Sequence, residues 1–513
     1  MAFKKIILTT INAKWIHPSL ALRLLKANLG SLENSCEIIE FALRQPLNEK
    51  LEQLLAALSD NSRACSEVSA AEGSLNGSAA DESAESTRIL GISVSIWNHT
   101  ATIELLKELE QALADTQVKK PIIVLGGPEV THLPPDSEIF NFADYVIRGE
   151  GELAFKSLCE SILQGGRRFS CSVVKSPAGS EQPAFVDARS CVALNEIKTA
   201  YRLYTDEDAA KKLIYVESSR GCPFGCEFCM SAADRTVREF PLEPFLEEMD
   251  ILIQRGAKTF KFLDRSFNIN VKRSLRIIEF FLNKIEQLSA SQRPPVVHFE
   301  MVPSIFPPEL REMLTRFPPG TLRLEIGIQT LNENTAARIG RQSNPERELD
   351  ELRFLRGKTN AIIHADLIAG LPGEDIASFG RGFDKLLNVL IDTKSENVNE
   401  FEIQVGILKL LPGAAIVRHN EDFGMRYNLL PPYEIEETSS ISTTDLRRIK
   451  NFARFWELIV NRSHIKMKKE LSFKKFIELS DALLINFGKN WGIDKKDLQN
   501  EIAIRAFDLF FMS

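Results

Sequence analysis

Three cysteines lie close together near the middle of the chain and could bind a metal cluster. They are Cys222, Cys226 and Cys229, and their spacing is C-x3-C-x2-C. A [4Fe–4S] cluster normally takes four thiolates, so three thiolates on one loop can hold three irons and leave the fourth open. An open position is what allows a catalytic metal site to bind a substrate or a cofactor. Gly221 and Gly225, before the first and second cysteine, would let the backbone wrap closely around the cluster.

A zinc site is the main alternative for these three cysteines. Zinc sites favour paired C-x2-C units with four ligands, and only Cys226 and Cys229 form such a pair. The five other cysteines are scattered, and we interpret them as small thiols without a metal. They are Cys36, Cys65, Cys159, Cys171 and Cys191. The cluster interpretation is therefore favoured over zinc.

The cysteine loop follows a strand-like segment, Leu213–Val216, and α/β enzymes place their chemistry where such strands end. With this spacing the loop resembles that of the radical S-adenosylmethionine (SAM) superfamily. The resemblance implies that the open iron binds the amino and carboxylate groups of SAM. It also implies that an electron from the cluster cleaves SAM to a 5′-deoxyadenosyl radical. Phe228, directly before Cys229, is then expected to lie against the adenine.

Length and composition indicate a soluble protein of two or three domains. The chain has 513 residues, a net charge of −7 and a pI near 5.8. This charge argues against broad nucleic-acid binding, which needs a basic face. No apolar run approaches the roughly 18 residues that a membrane span needs, and the N-terminus becomes polar too early for a signal peptide. A cytoplasmic location is expected for a protein with a reduced cluster.

The first part of the chain, residues 1–165, alternates strands and helices. This pattern predicts a doubly wound, Rossmann-like parallel sheet. Residues 61–87 are poor in large apolar side chains and are predicted to form a disordered insertion. The periodicity weakens over residues 166–205, which we interpret as a linker.

The second part, residues 206–420, contains six strand candidates separated by helices, which predicts a partial (β/α)6 barrel. After Pro431 and Pro432 the pattern changes to amphipathic helices, so residues 421–513 are predicted to form a helical C-terminal region. The strand candidates are Leu213–Val216, Thr259–Leu263, Val297–Met301, Leu322–Ile328, Ile362–Ile368 and Glu402–Leu408. The fold class is therefore α/β with a helical tail.

Three loops of the N-terminal sheet are candidates for a cofactor site, because a doubly wound sheet binds ligands outside the carboxyl ends of its strands. The loops are Asn12–Ser19, Ser93–Asn98 and Gly126–Glu129. The paired glycines of the third loop, Gly126 and Gly127, would permit a flat ligand to approach the backbone. These loops, with the Gly126–Glu129 and Arg148–Glu152 stretches, resemble the cobalamin-binding domain of class B radical SAM proteins. The resemblance implies cobalamin contacts at Asn12, His17, Ser93, Ser95, Gly126 and Gly127.

One feature of that family is missing. The D-x-H-x-x-G pattern, which gives cobalamin a lower histidine ligand, does not occur in this chain. His17 lies in the corresponding loop but lacks the acidic partner that usually orients a metal-binding imidazole. Cobalamin without a histidine ligand is therefore expected. The alternative for the whole domain is a flavodoxin-like sheet that binds another ligand or none.

Polar residues on the later barrel strands resemble SAM-binding positions. Glu325 and Gln329 are four residues apart on one strand, so both face the same way. Asp366 lies within the next strand, where an unpaired acidic residue would be unfavourable in a core. The resemblance implies SAM contacts at these three residues and at Gly370 and Pro372.

Candidate substrate contacts come from the second and third barrel strands. Arg265 and Asn268 stand where many radical SAM enzymes carry a glycine-rich acidic motif for the SAM amino group. His298 and Glu300 alternate on the third strand and share one face. We predict catalytic or substrate-contacting roles for Arg265, Asn268 and His298, and a satisfied inner histidine is the alternative for His298.

Together the motifs resemble cobalamin-dependent (class B) radical SAM proteins with a DUF4080-type C-terminal region. The resemblance implies an enzyme that uses a [4Fe–4S] cluster, SAM and cobalamin for radical methylation of an unactivated centre of a small molecule. A flavodoxin or ferredoxin is the expected electron donor. Rearrangement, cyclisation or oxidation without net methyl transfer is the alternative. A non-catalytic cobalamin sensor is less well supported by the sequence, and so is a transfer-RNA methylthiotransferase. For the latter, the resemblance would imply N-terminal cysteines that bind a second cluster and a basic C-terminal β-barrel.

Overall fold

The computed structural model describes eleven stretches of the chain, which form two compact units. One unit comprises Met1–Val216 with Glu243–Ala257, and the other comprises Glu217–Leu242 with Lys258–Ser513. The described residues are 6–59, 87–116, 118–163, 172–174, 183–190, 192–288, 293–391, 401–462, 466–467, 470–506 and 509–511. Residues 61–86 of the predicted insertion, much of the predicted linker, and Cys65, Cys171 and Cys191 lie outside them.

The first unit is built on a seven-stranded sheet. Its strands are β1 (Ile6–Asn12), β2 (Cys36–Ala42), β3 (Ile89–Ser93), β4 (Ile122–Gly126), β5 (Tyr145–Gly149), β6 (Ser172–Val174) and β7 (Ala184–Ala188). The strand order is β2-β1-β3-β4-β5-β7-β6, and only β6 runs antiparallel to its neighbour. The unit's helices are α1 (Leu20–Ala27), α2 (Leu47–Leu58), α3 (His99–Ala114), α4 (Pro128–His132), α5 (Gly151–Leu163), α6 (Asp206–Lys211) and α7 (Leu242–Gln254), which begins one residue outside the unit.

Apolar side chains cover both faces of this sheet. The first six residues of β1 are all buried, because alternate side chains enter two separate cores. Ile7 belongs to the core that includes Leu105 of α3, whereas Ile6 belongs to the core that includes Phe155 of α5. The predicted doubly wound sheet is thereby confirmed.

The predicted linker over residues 166–205 needs correction. Ala184–Ala188 forms β7 and pairs in parallel with β5 over five residues. Leu194 and Tyr201, further along, are buried. A strand of only five residues gives little periodicity in the sequence, which is why the prediction missed it.

The second unit contains most of a six-stranded parallel sheet. Its strands are β11 (Thr259–Phe262), β12 (Val296–Met301), β13 (Leu322–Gln329), β14 (Ile362–Ala369) and β15 (Phe401–Ile407), and the sixth strand is β8 (Ile214–Val216). The order is β15-β14-β13-β12-β11-β8, so strands that follow one another along the chain are neighbours. The helices are α8 (Val271–Glu286), α9 (Pro308–Thr315), α10 (Glu333–Arg338), α11 (Pro345–Lys358) and α12 (Ile376–Ile391). This order confirms the predicted partial (β/α)6 barrel.

The barrel strands keep one polar face. Along β13 every second residue is a buried apolar one, from Leu322 to Ile328, and the residues between them are half-buried. Those between are Arg323, Glu325, Gly327 and Gln329. A face of this kind is unusual for a barrel interior, which is normally filled with branched apolar residues. It gives the site its charged groups.

The C-terminal residues are mainly helical, as predicted. The elements are β16 (Arg426–Tyr427), β17 (Ile435–Glu437), α13 (Thr443–Trp456), a π-helical turn (Glu457–Asn461), β18 (Lys466–Met467), α14 (Phe473–Phe487), α15 (Lys495–Arg505) and β19 (Phe510–Phe511). Phe452 stacks on Trp456, and Phe476 packs edge-on against both rings. None of the helices in the described ranges is long and apolar enough to cross a membrane.

Short elements complete the backbone. Two-residue strands β9 (Ser219–Arg220) and β10 (Arg238–Glu239) form a small antiparallel pair around the cysteine loop. The 3₁₀ helices are Gly30–Ser35, Glu138–Phe142, Leu194–Glu196, Tyr201–Leu203, Met230–Ala233 and Ala415–His419.

Candidate functional site

The cysteine loop is closed at its base by β9 and β10, so the chain leaves and returns at one place. Gly221 has a φ of +91°, and a Cβ there would lie 1.8 Å from the carbonyl oxygen of Thr236. Only glycine fits such a position. The sequence correctly singled out this glycine, but the contact that requires it is with the returning arm of the loop.

A cavity of about 250 Å³ lies beside the loop and the polar ends of the barrel strands. Cys222, Cys226 and Cys229 all line it, and all three are partly exposed. The structure also brings five other predicted site residues to this cavity. They are Phe228, Arg265, Glu325, Gln329 and Asp366.

The arrangement of the three thiols suits a cluster better than a single ion. Among the described residues, no three His, Cys, Asp or Glu side chains are placed to share one metal ion. A [4Fe–4S] cluster binds its cysteines at different iron atoms, so its ligands need not converge on one point. Three thiols on one cavity wall fit that donor set.

Two residues that the sequence analysis did not identify lie against the cysteines. The hydroxyl of Ser266 is 3.2 Å from Sγ of Cys222. Burial raises the pKa of the Cys226 thiol, and the guanidinium of Arg341 opposes this shift. Arg341 also donates a hydrogen bond to the carbonyl of Gly327 at 2.5 Å. Ser266 lies next to Arg265 in a stretch that the sequence singles out, and Arg341 lies in no motif. Only the fold reveals that both contact the cysteines.

Glu325 is held ionised on the cavity wall. Lys261 donates to its Oε2 at 2.9 Å, and Nε2 of His298 lies 3.3 Å from the same oxygen. Burial alone would raise the pKa of Glu325, but these two partners outweigh burial and lower the pKa to about 2. Glu325 therefore presents a fixed negative charge at neutral pH.

Asp366 is the opposite case. Burial, followed by repulsion from Glu325 and Glu300, raises the pKa of Asp366 to about 8. Its Oδ1 is buried without a hydrogen-bond partner in the structure. Glu300 also lines the cavity, and burial raises its pKa too. The cavity thus contains both a charged carboxylate and a protonated carboxyl group that can donate a hydrogen bond.

His298 lies behind Glu325 and not on the cavity wall. The residue is 8 % exposed, and its ring stacks on that of His364 with 5.4 Å between the ring centroids. Burial, the largest influence, lowers the pKa of His298. Its contact with the cavity runs through Glu325, so a positioning role fits this histidine better than the predicted direct contact with substrate.

Asn268 is a correction to the predicted substrate contacts. Its side chain is fully buried, and Nδ2 donates to the carbonyls of Val302 and Ile305 at 3.0 and 2.5 Å. Its Oδ1 accepts from the backbone N–H of Val302 at 2.8 Å. Every polar atom of the amide is thus used to hold the loop after β12, and none is left for a substrate.

Gly370 and Pro372 do not line the cavity either. Gly370 has a φ of +88°, and a Cβ there would lie 2.6 Å from the Ile435 side chain. The carbonyl of Pro372 accepts a hydrogen bond from Arg338 at 2.7 Å. Both residues shape the turn after β14, so their described contacts are with protein and not with the cavity.

Gln329 ends β13 in an unusual conformation. Its φ is +67°, which is rare for a residue with a Cβ, and the pairing of β13 with β14 is irregular between Gly327 and Gln329. Such outliers cluster at ligand sites. The bulge changes the direction of the strand end where Gln329 lines the cavity.

The first unit carries the second candidate site, at the place where its strand order reverses. β1 has β2 on one side and β3 on the other, and a crevice at such a reversal is where doubly wound sheets bind ligands. Asn12 ends β1 and donates to Glu40, and the carbonyl of Ser93 at the end of β3 accepts from Thr10 at 2.8 Å. The N–H of Ser95 donates to Asn98.

The glycine pair after β4 has a structural explanation. Gly127 has a φ of +105°, and a Cβ there would lie 2.5 Å from the carbonyl oxygen of Val94. Gly126 is the residue of β4 that pairs with Ser93. The sequence suggested that a flat ligand approaches these glycines closely. At Gly127, the close approach is between the loop after β4 and the loop after β3.

Two exposed tryptophans flank this reversal point. Trp15 follows β1 and Trp97 follows β3, and they are 52 % and 53 % exposed. Most large aromatic side chains are buried, so two exposed ones beside a ligand crevice are informative. His17, in the loop of Trp15, lies 2.9 Å from the hydroxyl of Tyr215 through its Nδ1. That imidazole is thus oriented by a tyrosine.

Comparison with known proteins identifies a segment that lies mostly in the second unit. Residues 216–385 match the model of the radical SAM superfamily, so the chain contains a radical SAM domain, as predicted. The cobalamin-dependent radical SAM methyltransferase TokK from Streptomyces tokunonensis is 23 % identical over 355 residues, which cover 66 % of this chain and 49 % of that protein. The chain thus spans about half the length of this relative.

Two further proteins resemble longer parts of the chain. A tRNA-2-methylthio-N(6)-dimethylallyladenosine synthase from Natranaerobius thermophilus is 24 % identical over 356 residues, covering 68 % of this chain and 70 % of that protein. The structure of OxsB, a cobalamin-dependent S-adenosylmethionine radical enzyme with aqua-cobalamin and S-adenosylmethionine bound, has a TM-score of 0.57. The superposition covers 97 % of this chain and 70 % of OxsB at 15 % identity, so it shows a shared fold.

Proposed function

We propose that this protein is a radical SAM enzyme in which Cys222, Cys226 and Cys229 hold a [4Fe–4S] cluster. The observation that carries the proposal is that all three thiols of the C-x3-C-x2-C run line one cavity within the matched radical SAM domain. When bound, the cluster and SAM supply a radical strong enough to remove hydrogen from an unactivated carbon. A flavodoxin or ferredoxin is our proposed source of the electron.

The cavity has groups for both ends of a zwitterionic ligand such as SAM. The ionised carboxylate of Glu325 suits a cationic group, and the guanidinium of Arg341 suits a carboxylate. Asp366, with a pKa of about 8, keeps its proton at neutral pH and can donate a hydrogen bond. The roles of these residues are to orient the ligand and to exclude water. Arg265, whose side chain is 56 % exposed and 3.6 Å from Glu300, is our proposed contact to the substrate.

We propose cobalamin as the ligand of the first unit. The reversal of strand order between β1 and β3 and the two exposed tryptophans beside it support a large, flat and partly apolar ligand. Asn12, Ser93 and the loop of His17 border the same edge of the sheet. The names of TokK and OxsB, both cobalamin-dependent, favour this ligand over a flavin.

Radical methylation of a small molecule is the reaction that we propose. It is supported by the similarity to TokK, a methyltransferase by name. The residues of the cavity act on substrate position and hydrogen bonding and would serve a cyclisation or oxidation equally well. Analysis of the product for an added methyl group decides between these two outcomes.

Transfer-RNA methylthiolation is a second candidate, because a synthase of that class is similar over 68 % of this chain. A second cluster in the first unit would need accessible cysteines. The two cysteines of this unit that lie within the described residues, Cys36 and Cys159, are fully buried in its apolar core. The helical C-terminal residues also differ from the basic barrel that the sequence analysis expected of such an enzyme. Both observations favour the small-molecule reaction.

The proposal is tested by anaerobic reconstitution with iron, sulfide and hydroxocobalamin, followed by desalting. One cluster per chain gives about four irons and two clusters give about eight. The iron count therefore also distinguishes the small-molecule reaction from transfer-RNA methylthiolation. The reduced protein should cleave SAM to 5′-deoxyadenosine and retain about one corrinoid per chain, as a single pocket implies. A protein that keeps no iron, or does not cleave SAM when reduced, would refute the proposed enzyme.

A further inference from the structure

Glu227, the residue between Cys226 and Phe228, connects the cysteine loop to two distant parts of the second unit. Its backbone N–H donates to the carbonyl of Ile339 at 3.0 Å, and its own carbonyl accepts from the N–H of Ile416 at 3.0 Å. Both backbone groups of this one residue are therefore bound by segments that come more than 100 residues later in the chain.

The side chain of Glu227 is bound just as completely. Arg418 donates to both carboxylate oxygens, with distances of 2.9 and 2.6 Å from Nε and Nη2. Nε2 of His419 lies 2.8 Å from Oε2. Paired N–H groups of an arginine on one carboxylate are among the stronger and more directional contacts in proteins.

Low exposure strengthens this contact. The side chains of Glu227 and His419 are 13 % and 8 % exposed, although Arg418 is 61 % exposed. An exposed ion pair alone contributes little, but the contact of Glu227 with His419 is mostly shielded from water. Phe423 packs edge-on against the His419 ring, which fixes the orientation of the imidazole.

The segment after α10 also lies very close to the cysteine loop. Gly340 has a φ of +66°, and a Cβ there would lie 2.8 Å from the carbonyl oxygen of Gly225. The segment at Ile339 and Gly340 therefore packs against the loop between the first two cysteines. The 3₁₀ helix Ala415–His419 contacts the same loop through Glu227.

We infer that the 3₁₀ helix Ala415–His419 is a clamp that fixes the position of the cysteine loop through Glu227. Arg418 and His419 are then positioning residues for the three thiols, and they act although neither lines the cavity. The inference rests on the proposed cluster site for its functional meaning. Its structural content, a loop immobilised by residues about 190 positions later, does not depend on any cofactor.

Amide hydrogen exchange of the protein without cluster tests the clamp. In Glu227→Ala, the amides of residues 226–229 should exchange at least about tenfold faster than in the unchanged protein, because exchange follows local opening. The matched control is Glu436→Ala, since Glu436 pairs with the half-exposed Arg426 in the same part of the chain but does not touch the loop. Exchange in the loop should stay within about twofold in this control.

A second pair of variants separates the clamp from a general loss of folding. His419→Ala should also accelerate exchange, and His419→Gln should restore slow exchange because the glutamine amide can still donate to Glu227. In reconstituted protein, His419→Ala should change the electron paramagnetic resonance line shape of the reduced cluster, and His419→Gln should not. Loop exchange in Glu227→Ala and His419→Ala that stays within twofold of the unchanged protein overturns the clamp, as does equal acceleration in Glu436→Ala.

The two proposals fail in distinguishable ways. If the unchanged protein binds no iron but Glu227→Ala still accelerates loop exchange, the clamp stands and the proposed enzyme does not. If iron binds and SAM is cleaved but loop exchange is insensitive to Glu227 and His419, the enzyme stands and the clamp is wrong.

Discussion

The two sheets of this protein bury their strands in different ways, and the difference indicates where each can bind a ligand. In the first unit, β1 is apolar on both faces and is covered by helices on both sides. In the second, β13 and β14 are apolar on one face only, and the other face carries Glu325, His364 and Asp366. A sheet with two filled faces has only its edge available, whereas a barrel with a polar interior can hold a ligand inside.

The charges of the barrel interior also differ from those of an ordinary core. Buried ionisable groups are unfavourable unless they are paired, yet Asp366 has no partner for Oδ1 and Glu325 has two. Pairs of carboxyl groups with divergent pKa values are characteristic of working sites. The first unit concentrates exposed aromatic rings at its reversal point, and the second concentrates charge.

The largest effect is expected at the cysteines. Cys226→Ala removes one of three cluster ligands, so retained iron should fall from about four per chain to nearly none, and SAM cleavage should disappear. Iron content by mass spectrometry after desalting measures this. The control is Cys159→Ala, a buried thiol of the first unit, which should keep its iron. If Cys226→Ala kept as much iron as Cys159→Ala, the result would contradict the assigned cluster site.

Corrinoid retention should be most sensitive to the tryptophans of the first unit. Trp97→Ala should weaken cobalamin binding by about two- to tenfold, because a stacked aromatic contact contributes about 0.5–1.5 kcal/mol. Absorbance after equilibrium dialysis measures the bound corrinoid. Trp491 is 69 % exposed at a distant point of the sequence, and Trp491→Ala should bind normally. If Trp97→Ala and Trp491→Ala bind cobalamin equally well, the exposed tryptophans no longer support a cobalamin site in the first unit.

Gly127 distinguishes a structural from a ligand-binding role at the sheet edge. Gly127→Ala should destabilise the protein without cofactors by about 1–3 kcal/mol, since the new Cβ meets Val94 at a strained φ. Thermal unfolding measures the change. Gly357, in α11, has open space around its missing Cβ, so Gly357→Ala should stabilise by up to about 1 kcal/mol. If Gly127→Ala leaves the unfolding temperature unchanged, ligand approach becomes the reason for this glycine.

The most gradual effects concern the pH dependence of stability. Asp366 keeps its proton up to a pKa of about 8 in the folded state and to about 3.9 when unfolded. Its contribution is present below pH 4 and is lost as the pH rises towards 8. Asp366→Asn should therefore gain stability relative to the unchanged protein across that window, by at most about 1.4 kcal/mol per pH unit. Denaturant titrations at several pH values measure the slope.

Glu325 supplies the opposite case for the same measurement. Its folded pKa of about 2 lies below the unfolded value of about 4.3, so its contribution is present above pH 4.3 and is lost as the pH falls towards 2. Glu325→Gln should remove that acid-side loss. It should also reduce the loss of stability between pH 4 and 8, because repulsion from Glu325 helps to raise the pKa of Asp366. A Glu325→Gln protein that loses stability below pH 4.3 as steeply as the unchanged protein would contradict the assigned charge of Glu325.

The sequence by itself determined the cysteine loop, the alternation of strands and helices and the helical C-terminal residues. All six barrel strands were predicted within two residues of their observed bounds, because half-buried strands between amphipathic helices have a strong local pattern. Phe228, Glu325, Gln329 and Asp366 all line the cavity. Strand periodicity alone assigns Glu325 and Gln329 to one face of β13. Their proposed roles as SAM contacts are still predictions, as are the DUF4080-type region and the cytoplasmic location.

Only the tertiary structure decided which polar residues meet. Asn268 and Arg265 looked equivalent in the sequence, but Asn268 bonds to the loop after β12 while Arg265 lines the cavity. Arg341 belongs to no motif, yet it lies against Cys226. The partners of Glu227 are about 190 residues away. Local patterns fix which face of a strand a residue occupies, but contacts between distant segments depend on how the elements pack, and no local pattern records that.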